Sequence, residues 1–138
     1  MTVTDTERVV VEAFYRTMQQ RGIAEEPIVS LFADDAVYIE PFSNGTVSGE
    51  KRTHRGKAAI RDFFLESWNH RPADMRLILD RVSIDSGMVR ADWTCIADAF
   101  ASPMIGFDLY EIRDGKIVRL ETTVTQPPAS VTWRSEKP

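Results

Sequence analysis

The sequence is short of several things, and each shortage excludes something. Cys95 is the single cysteine among 138 residues. An internal disulfide is therefore excluded, and with no CxxC partner the thiol lacks the spacing of a metal or redox pair. It sits in an alternating apolar run and reads as a packing thiol. The two histidines, His54 and His70, lie in separate segments. They give no metal-ligand spacing, so no metal is expected. There is no glycine-rich phosphate loop, and no cofactor is implied. Basic residues are outnumbered, 17 Lys and Arg against 21 Asp and Glu, for a net charge of −4. That balance argues against nucleic acid as a partner, because phosphate contacts need a basic face. No run approaches the roughly 20 apolar residues that span a bilayer, so no membrane partner is expected. Met1 to Arg8 is polar and lacks the apolar centre of a secretory signal, which leaves a cytoplasmic location as the expectation.

What is present suits one domain over 1–138, with a polar, proline-rich tail over 126–138 in which Trp133 is the residue able to dock. Hydrophobic residues make up 43% and charged residues 28%, enough to bury a core without disulfide or metal staples. Thr4 and Glu7 have the spacing of a capping box. After them Val10, Ala13, Phe14, Thr17 and Met18 recur at helical spacing, and Gly22 is placed to end the helix. Pro27 opens a short second helix carrying Ile28, Leu31 and Phe32, with Asp34-Asp35 as its stop. Ala36 to Phe42 reads as a strand closed by Pro41 and a Ser43-Asn44-Gly45 turn. Gly56 precedes a third helix with Ile60, Phe63, Phe64 and Trp68 on one face and Pro72 at its end.

Beyond Pro72 the period changes to two. Strands are expected at Met75–Ile84, Met88–Phe100, Ile105–Ile112 and Lys116–Thr125, with Asp85-Ser86-Gly87 and Asp114-Gly115 as hairpin turns. Alternation sorts their side chains. Val89, Ala91, Trp93, Cys95 and Ala97 share an apolar face, and Arg90, Asp92, Thr94 and Asp98 point the other way. Ile105, Phe107 and Leu109 share a face, as do Val118, Leu120, Thr122 and Val124. Ala91, Cys95 and Ala97 are small, and opposite large helix residues they leave either space for an apolar ligand or a position filled by bulky neighbours. The candidate lining is Phe14, Met18, Phe64, Trp68, Trp93 and Phe107, and the expected partner is a small hydrophobic molecule. Thr94, Ile96 and Phe100 make the outer sheet face more apolar than solvation needs, which points to a homodimer.

Three strings in order resemble one family. Leu31-Phe32-Ala33-Asp34-Asp35-Ala36-Val37 followed by Glu40-Pro41 is similar to the helix-to-strand passage of ketosteroid isomerases. Thr53-His54-Arg55-Gly56-Lys57-Ala58-Ala59-Ile60 is similar to their entry into the third helix. Phe107 to Ile117 is similar to their final hairpin. The resemblance to the nuclear transport factor 2-like superfamily, with its ketosteroid isomerase-like and polyketide cyclase-like members, implies an α+β fold: a cone-shaped, curved antiparallel sheet with three helices packed on its concave face. It implies no one function, because this fold hosts enzymes and pure binding or assembly domains.

Carried over by residue, the resemblance puts Glu40 where the isomerases keep a carboxylate base and Tyr15 near their phenolic donor to the enolate oxygen. The isomerases' second donor is a protonated acid; the corresponding residue here is Ile105. The polyketide cyclases carry an acid in a string like Phe107-Asp108-Leu109-Tyr110, which makes Asp108 a candidate acid/base, although alternation from Phe107 turns it away from the pocket. The acidic signature of limonene-epoxide-type hydrolases falls on Trp93 and Cys95, with a second position near Thr122, and is absent. Tyr38 is placed to orient a polar ligand group. Each candidate has a structural alternative: a solvated Glu40, a core Tyr15, an Asp108 at a subunit contact. The basic cluster Lys51, Arg52, His54, Arg55 and Lys57 reads as a solvated loop or as an attractor of a ligand carboxylate or phosphate. The expected function is cofactor-free acid/base chemistry on a hydrophobic substrate, isomerisation or cyclisation by proton abstraction next to a carbonyl. The alternative is a non-catalytic ligand-binding or assembly domain.

Overall fold

The computed structural model describes residues 2–19, 25–43 and 46–128. The expectations placed on Gly22, on Asn44-Gly45 and on Trp133 lie outside them, as does the side chain of Trp68. Helix α1 (Asp5–Met18) starts as read: the Thr4 hydroxyl accepts from the Glu7 amide at 3.1 Å, and the Thr4 amide donates to the Glu7 carboxylate at 2.9 Å. The reciprocal bonds satisfy donors that a helix start otherwise leaves open. Its buried stripe is Val10, Val11, Phe14 and Tyr15.

Helix α2 (Glu25–Val29) is shorter than expected, and strand β1 (Phe32–Ser43) is longer. Phe32, read as helical, pairs with Ile117, and the Ile117 amide donates to the Leu31 carbonyl at 2.9 Å. A strand partner 85 residues away along the chain overrides a local helical pattern. Asp34-Asp35 therefore lies inside the strand, where the pairing with the last strand is irregular between Phe32 and Val37.

The segment read as a basic loop is strand β2 (Thr46–Arg55), antiparallel to β1 with Tyr38 opposite His54 and Glu40 opposite Arg52. It lies at one end of the sheet. An edge strand carries charge instead of an apolar alternation, which is why no period of two marks it. Gly56, at φ 87°, turns the chain into α3 (Lys57–His70) and donates its amide to the Ala36 carbonyl at 2.8 Å. Among the described side chains of α3, Ile60, Phe63 and Phe64 are buried.

Strands β3 (Arg76–Asp85), β4 (Met88–Ile96), β5 (Met104–Arg113) and β6 (Lys116–Gln126) complete the sheet, in the order β2-β1-β6-β5-β4-β3. Neighbours are antiparallel except β1 and β6, which run parallel. The sheet stays open, and register shifts in β1, β3 and β5 bend it around the helices. Ser86-Gly87 and Asp114-Gly115 all have positive φ, 53° and 82°, 54° and 77°, the paired left-handed conformation that suits two-residue hairpins. Strand β4 ends at Ile96, and Phe100, expected on its outer face, is buried in the connection that follows. Gln126, expected in the tail, still pairs with Ile105. Among the described residues no helix is long and apolar enough to cross a membrane.

The inward face of β4 is Val89, Ala91, Trp93 and Cys95, as alternation predicts. That of β5 is the reverse of the expectation. Met104, Gly106, Asp108 and Tyr110 face inward, and Ile105, Phe107 and Leu109 face out. Register is the reason: Trp93 sits opposite Gly106, Ala91 opposite Asp108 and Val89 opposite Tyr110, and directly opposed residues share a face. Phe107 is thus removed from the ligand lining. The Arg90 guanidinium covers its ring at 3.9 Å and is itself held by Asp92 and Asp85. In β6 Leu120 and Thr122 face inward as expected, but Ile117 takes the buried place of Val118 because the pairing slips between Glu111 and Ile112.

Candidate functional site

Between α1, α3 and the concave sheet face lies a cavity of about 100 Å³. A single water needs roughly 10–15 Å³ on such a scale, so the space suits something larger. Phe14 and Met18 reach it from α1, Tyr38 from β1, Trp93 and Cys95 from β4, and Thr122 from β6. Phe42, Phe63, Met75, Leu77 and Met104 complete an apolar wall. Four charged side chains also border it: Arg52, Glu66, Arg71 and Asp108.

Asp108 is the chemical centre of this wall. It is 3% exposed. The Tyr15 hydroxyl donates to its Oδ2, and the Tyr110 hydroxyl approaches the same oxygen at 3.4 Å. Thr122 donates to Oδ1 at 2.7 Å. That bond uses the only hydrogen of the Thr122 hydroxyl, so at the 3.3 Å contact between Tyr38 and Thr122 the phenol is the donor. The chain Tyr38 to Thr122 to Asp108 runs along the cavity wall.

Gly106 makes the Trp93 position possible. A Cβ there would lie 2.6 Å from the Trp93 ring and 2.2 Å from the Thr123 carbonyl oxygen. The indole lies across the glycine of the neighbouring strand.

Burial raises the Asp108 carboxyl from its ordinary 3.8 to about 6, against the hydrogen bonds from Tyr15, Thr122 and Tyr110, which favour the anion and hold the rise in check. Tyr15, Tyr38 and Tyr110 are all pushed well above the usual phenol value, first by burial and then by the negative charge of Asp108. They remain donors wherever the protein is folded.

Glu40 and Tyr15 do not meet across the cavity, and neither borders it. Tyr15 is a buried support for Asp108. Glu40 is fully buried, with Oε2 accepting from Arg52 Nε at 3.0 Å and lying 2.7 Å from His54 Nε2, while Oε1 accepts from the Phe42 amide. The cause is β2, the strand the sequence does not announce, which sets Arg52 directly opposite Glu40. Phe64 is also behind the wall, stacked on Tyr38 with ring centroids 5.6 Å apart. Among the described residues no group of three His, Cys, Asp or Glu comes together as a metal would need.

Arg71 and Phe63 enter the lining although neither was singled out as facing a ligand. Phe63 had a signal in the helical stripe of α3. Arg71, just past that helix, had none, and Arg52 was legible as a charge but not as a wall.

A sequence model of the SnoaL-like domain matches residues 11–120. No curated protein matches the chain. Solved structures with the same fold include a candidate ketosteroid isomerase from Kribbella flavida DSM 17836, 21% identical, with a TM-score of 0.65 over 100% of this chain and 86% of that one. A candidate polyketide cyclase from Sinorhizobium meliloti is 18% identical, with a TM-score of 0.62 over 87% of this chain and 100% of that one. A nuclear transport factor 2-like protein of unknown function from Mesorhizobium loti is 16% identical, with a TM-score of 0.66 over 88% and 92%.

Proposed function

The chain belongs to the SnoaL-like domain family of the nuclear transport factor 2-like superfamily, and we propose that it binds a small hydrophobic molecule and moves a proton on it through Asp108. The observation that carries this is a buried carboxyl on the wall of an apolar cavity, raised by burial to about 6 and fixed by three hydroxyls. A general base works best when its pKa lies near the working pH. Ionised Asp108 takes a proton from a carbon next to a carbonyl; the enolate forms, and the protonated acid returns the proton at another carbon. Tyr15, Tyr110 and Thr122 hold the carboxyl still through both states, since hydroxyls donate to the anion and also accept from the acid. Glu40 has no part in this step.

The rival is a binding domain in which Asp108 is a fixed acceptor. It is favoured by the number of donors already on the carboxylate. The two separate by hydrogen–deuterium exchange on a panel of alicyclic and aromatic ketones in D₂O, followed by NMR. Catalysis of exchange by the wild-type chain, reduced roughly 10²-fold or more in Asp108→Asn while the ketone still binds, supports proton transfer. Ketones that bind without faster exchange would leave the binding domain.

A further inference from the structure

The charged residues on the cavity wall are an odd set for a chain of net charge −4. Two are arginines, on opposite sides of α3 in the sequence. Of the two acids, Asp108 is occupied by its own donors, and Glu66 is on the exposed side of α3. Arg52 is held in place from behind. Its Nε donates to the buried Glu40 at 3.0 Å, and its guanidinium lies 5.8 Å from the centre of the Phe63 ring, another wall residue. Glu40 is fixed in turn by His54 and the Phe42 amide. The bond to Glu40 uses Nε alone and takes no part of the two Nη groups, the fork that matches a carboxylate. Arg71 is tied at Nη2 to the Met18 carbonyl at 2.6 Å, where α1 ends. Its positive charge is felt at Cys95 on the floor of the cavity.

We propose that the molecule the cavity receives is an apolar carboxylic acid in its ionised form, with Arg52 as the anchor of the carboxylate, Glu40 as the residue that positions Arg52, and Arg71 adding to the positive field. This rests on the reading that the cavity takes a small apolar ligand, but not on proton transfer by Asp108. It gives the Glu40–Arg52–His54 cluster a task that the proposed proton transfer leaves open.

The test uses two probes of the same shape, naphthalene-2-carboxylate and naphthalene-2-carboxamide, titrated calorimetrically at pH 7.5 in low salt. A charge-assisted hydrogen bond is worth enough for the carboxylate to bind roughly tenfold tighter or more than the amide. Arg52→Gln should reduce that ratio to about one by weakening the carboxylate more than the amide; Glu40 keeps its contacts with His54 and the Phe42 amide in the variant, whose melting temperature is measured alongside. Arg52→Lys should keep part of the ratio. Arg113→Gln, the same loss of charge in a distant hairpin, should keep all of it. Equal binding of both probes by the wild-type chain overturns the acid assignment and leaves the apolar cavity standing. Binding of neither overturns both. A ratio that falls as far in Arg113→Gln as in Arg52→Gln shows a general field and overturns Arg52 as the anchor.

Discussion

Replacing Asp108 by Asn should make the protein more stable at neutral pH and less sensitive to pH, and the size of the effect follows from the site. The folded-state carboxyl titrates at about 6 against an ordinary 3.8, so the folded protein binds a proton more tightly than the unfolded chain. Between these two values the folded state carries more protons. Stability from this group is therefore greatest at low pH, falls as pH rises through the window from 3.8 to about 6, and levels off above it. The full cost of keeping the buried carboxylate ionised is about 3 kcal/mol, and roughly half of it falls between pH 5 and pH 8. Asn carries no charge in either state, and the surrounding hydroxyls are able both to donate to it and to accept from it. Urea unfolding of both proteins at pH 5 and pH 8 measures the difference; every other titrating group is common to the two and cancels. The variant should gain on the wild type by roughly 1–2 kcal/mol between the two pH values. A difference that does not change between the two pH values, or one of opposite sign, would refute the claim that burial dominates the carboxyl's environment.

Tyr15→Phe removes a hydrogen bond that favours the Asp108 anion, so the carboxyl should titrate above its present value of about 6; a carbon-13 NMR titration of the Asp108 carboxyl reads the direction, and a downward move would count against the assigned bond. Gly106→Ala forces a Cβ to within 2.2 Å of a backbone oxygen that cannot rotate away and should cost roughly 1–3 kcal/mol of stability, with a shifted tryptophan emission as Trp93 is displaced. A homodimer through the outer sheet face is expected from Ile96 and the exposed Ile105, without the contribution of Phe100; sedimentation of a monomer at high micromolar concentration would rule it out.

The helices and the last four strands were legible because each has a local cause. A capping box, a glycine turn and a change of period from 3.6 to 2 are written in adjacent residues. What could not be read is what distant strands decide. Phe32 is helical by its neighbours and a strand by Ile117. Strand β2 has no apolar alternation, because an edge strand has a solvent side and carries charge. Its absence from the sequence reading carried the largest consequence: without it Glu40 looks like a lone carboxylate in an apolar wall, and with it Glu40 is the counter-ion of Arg52. The orientation of Asp108 failed for a related reason. Alternation fixes which residues share a face but not which face is inside; that is set by the register of β5 against β4, where Gly106 must sit beneath Trp93.

Three features of this molecule cut against stability, and they coincide. A cavity beside the core forfeits contacts that a fully packed interior would make. A buried carboxyl is costly to ionise. A glycine in the interior of a strand weakens it. A fold selected for stability alone would scatter such defects or remove them, because filling a cavity or replacing a buried acid is an accessible gain. Here Gly106 admits Trp93, Trp93 and Asp108 line the same cavity, and Asp108 faces the space that the other side chains leave open. Glu40, by contrast, is buried but fully partnered at the sheet edge and sits outside that coincidence. The departures from local rules converge on Asp108 and not on Glu40, which is the physical ground for placing the proton chemistry at one carboxylate and the holding of Arg52 at the other.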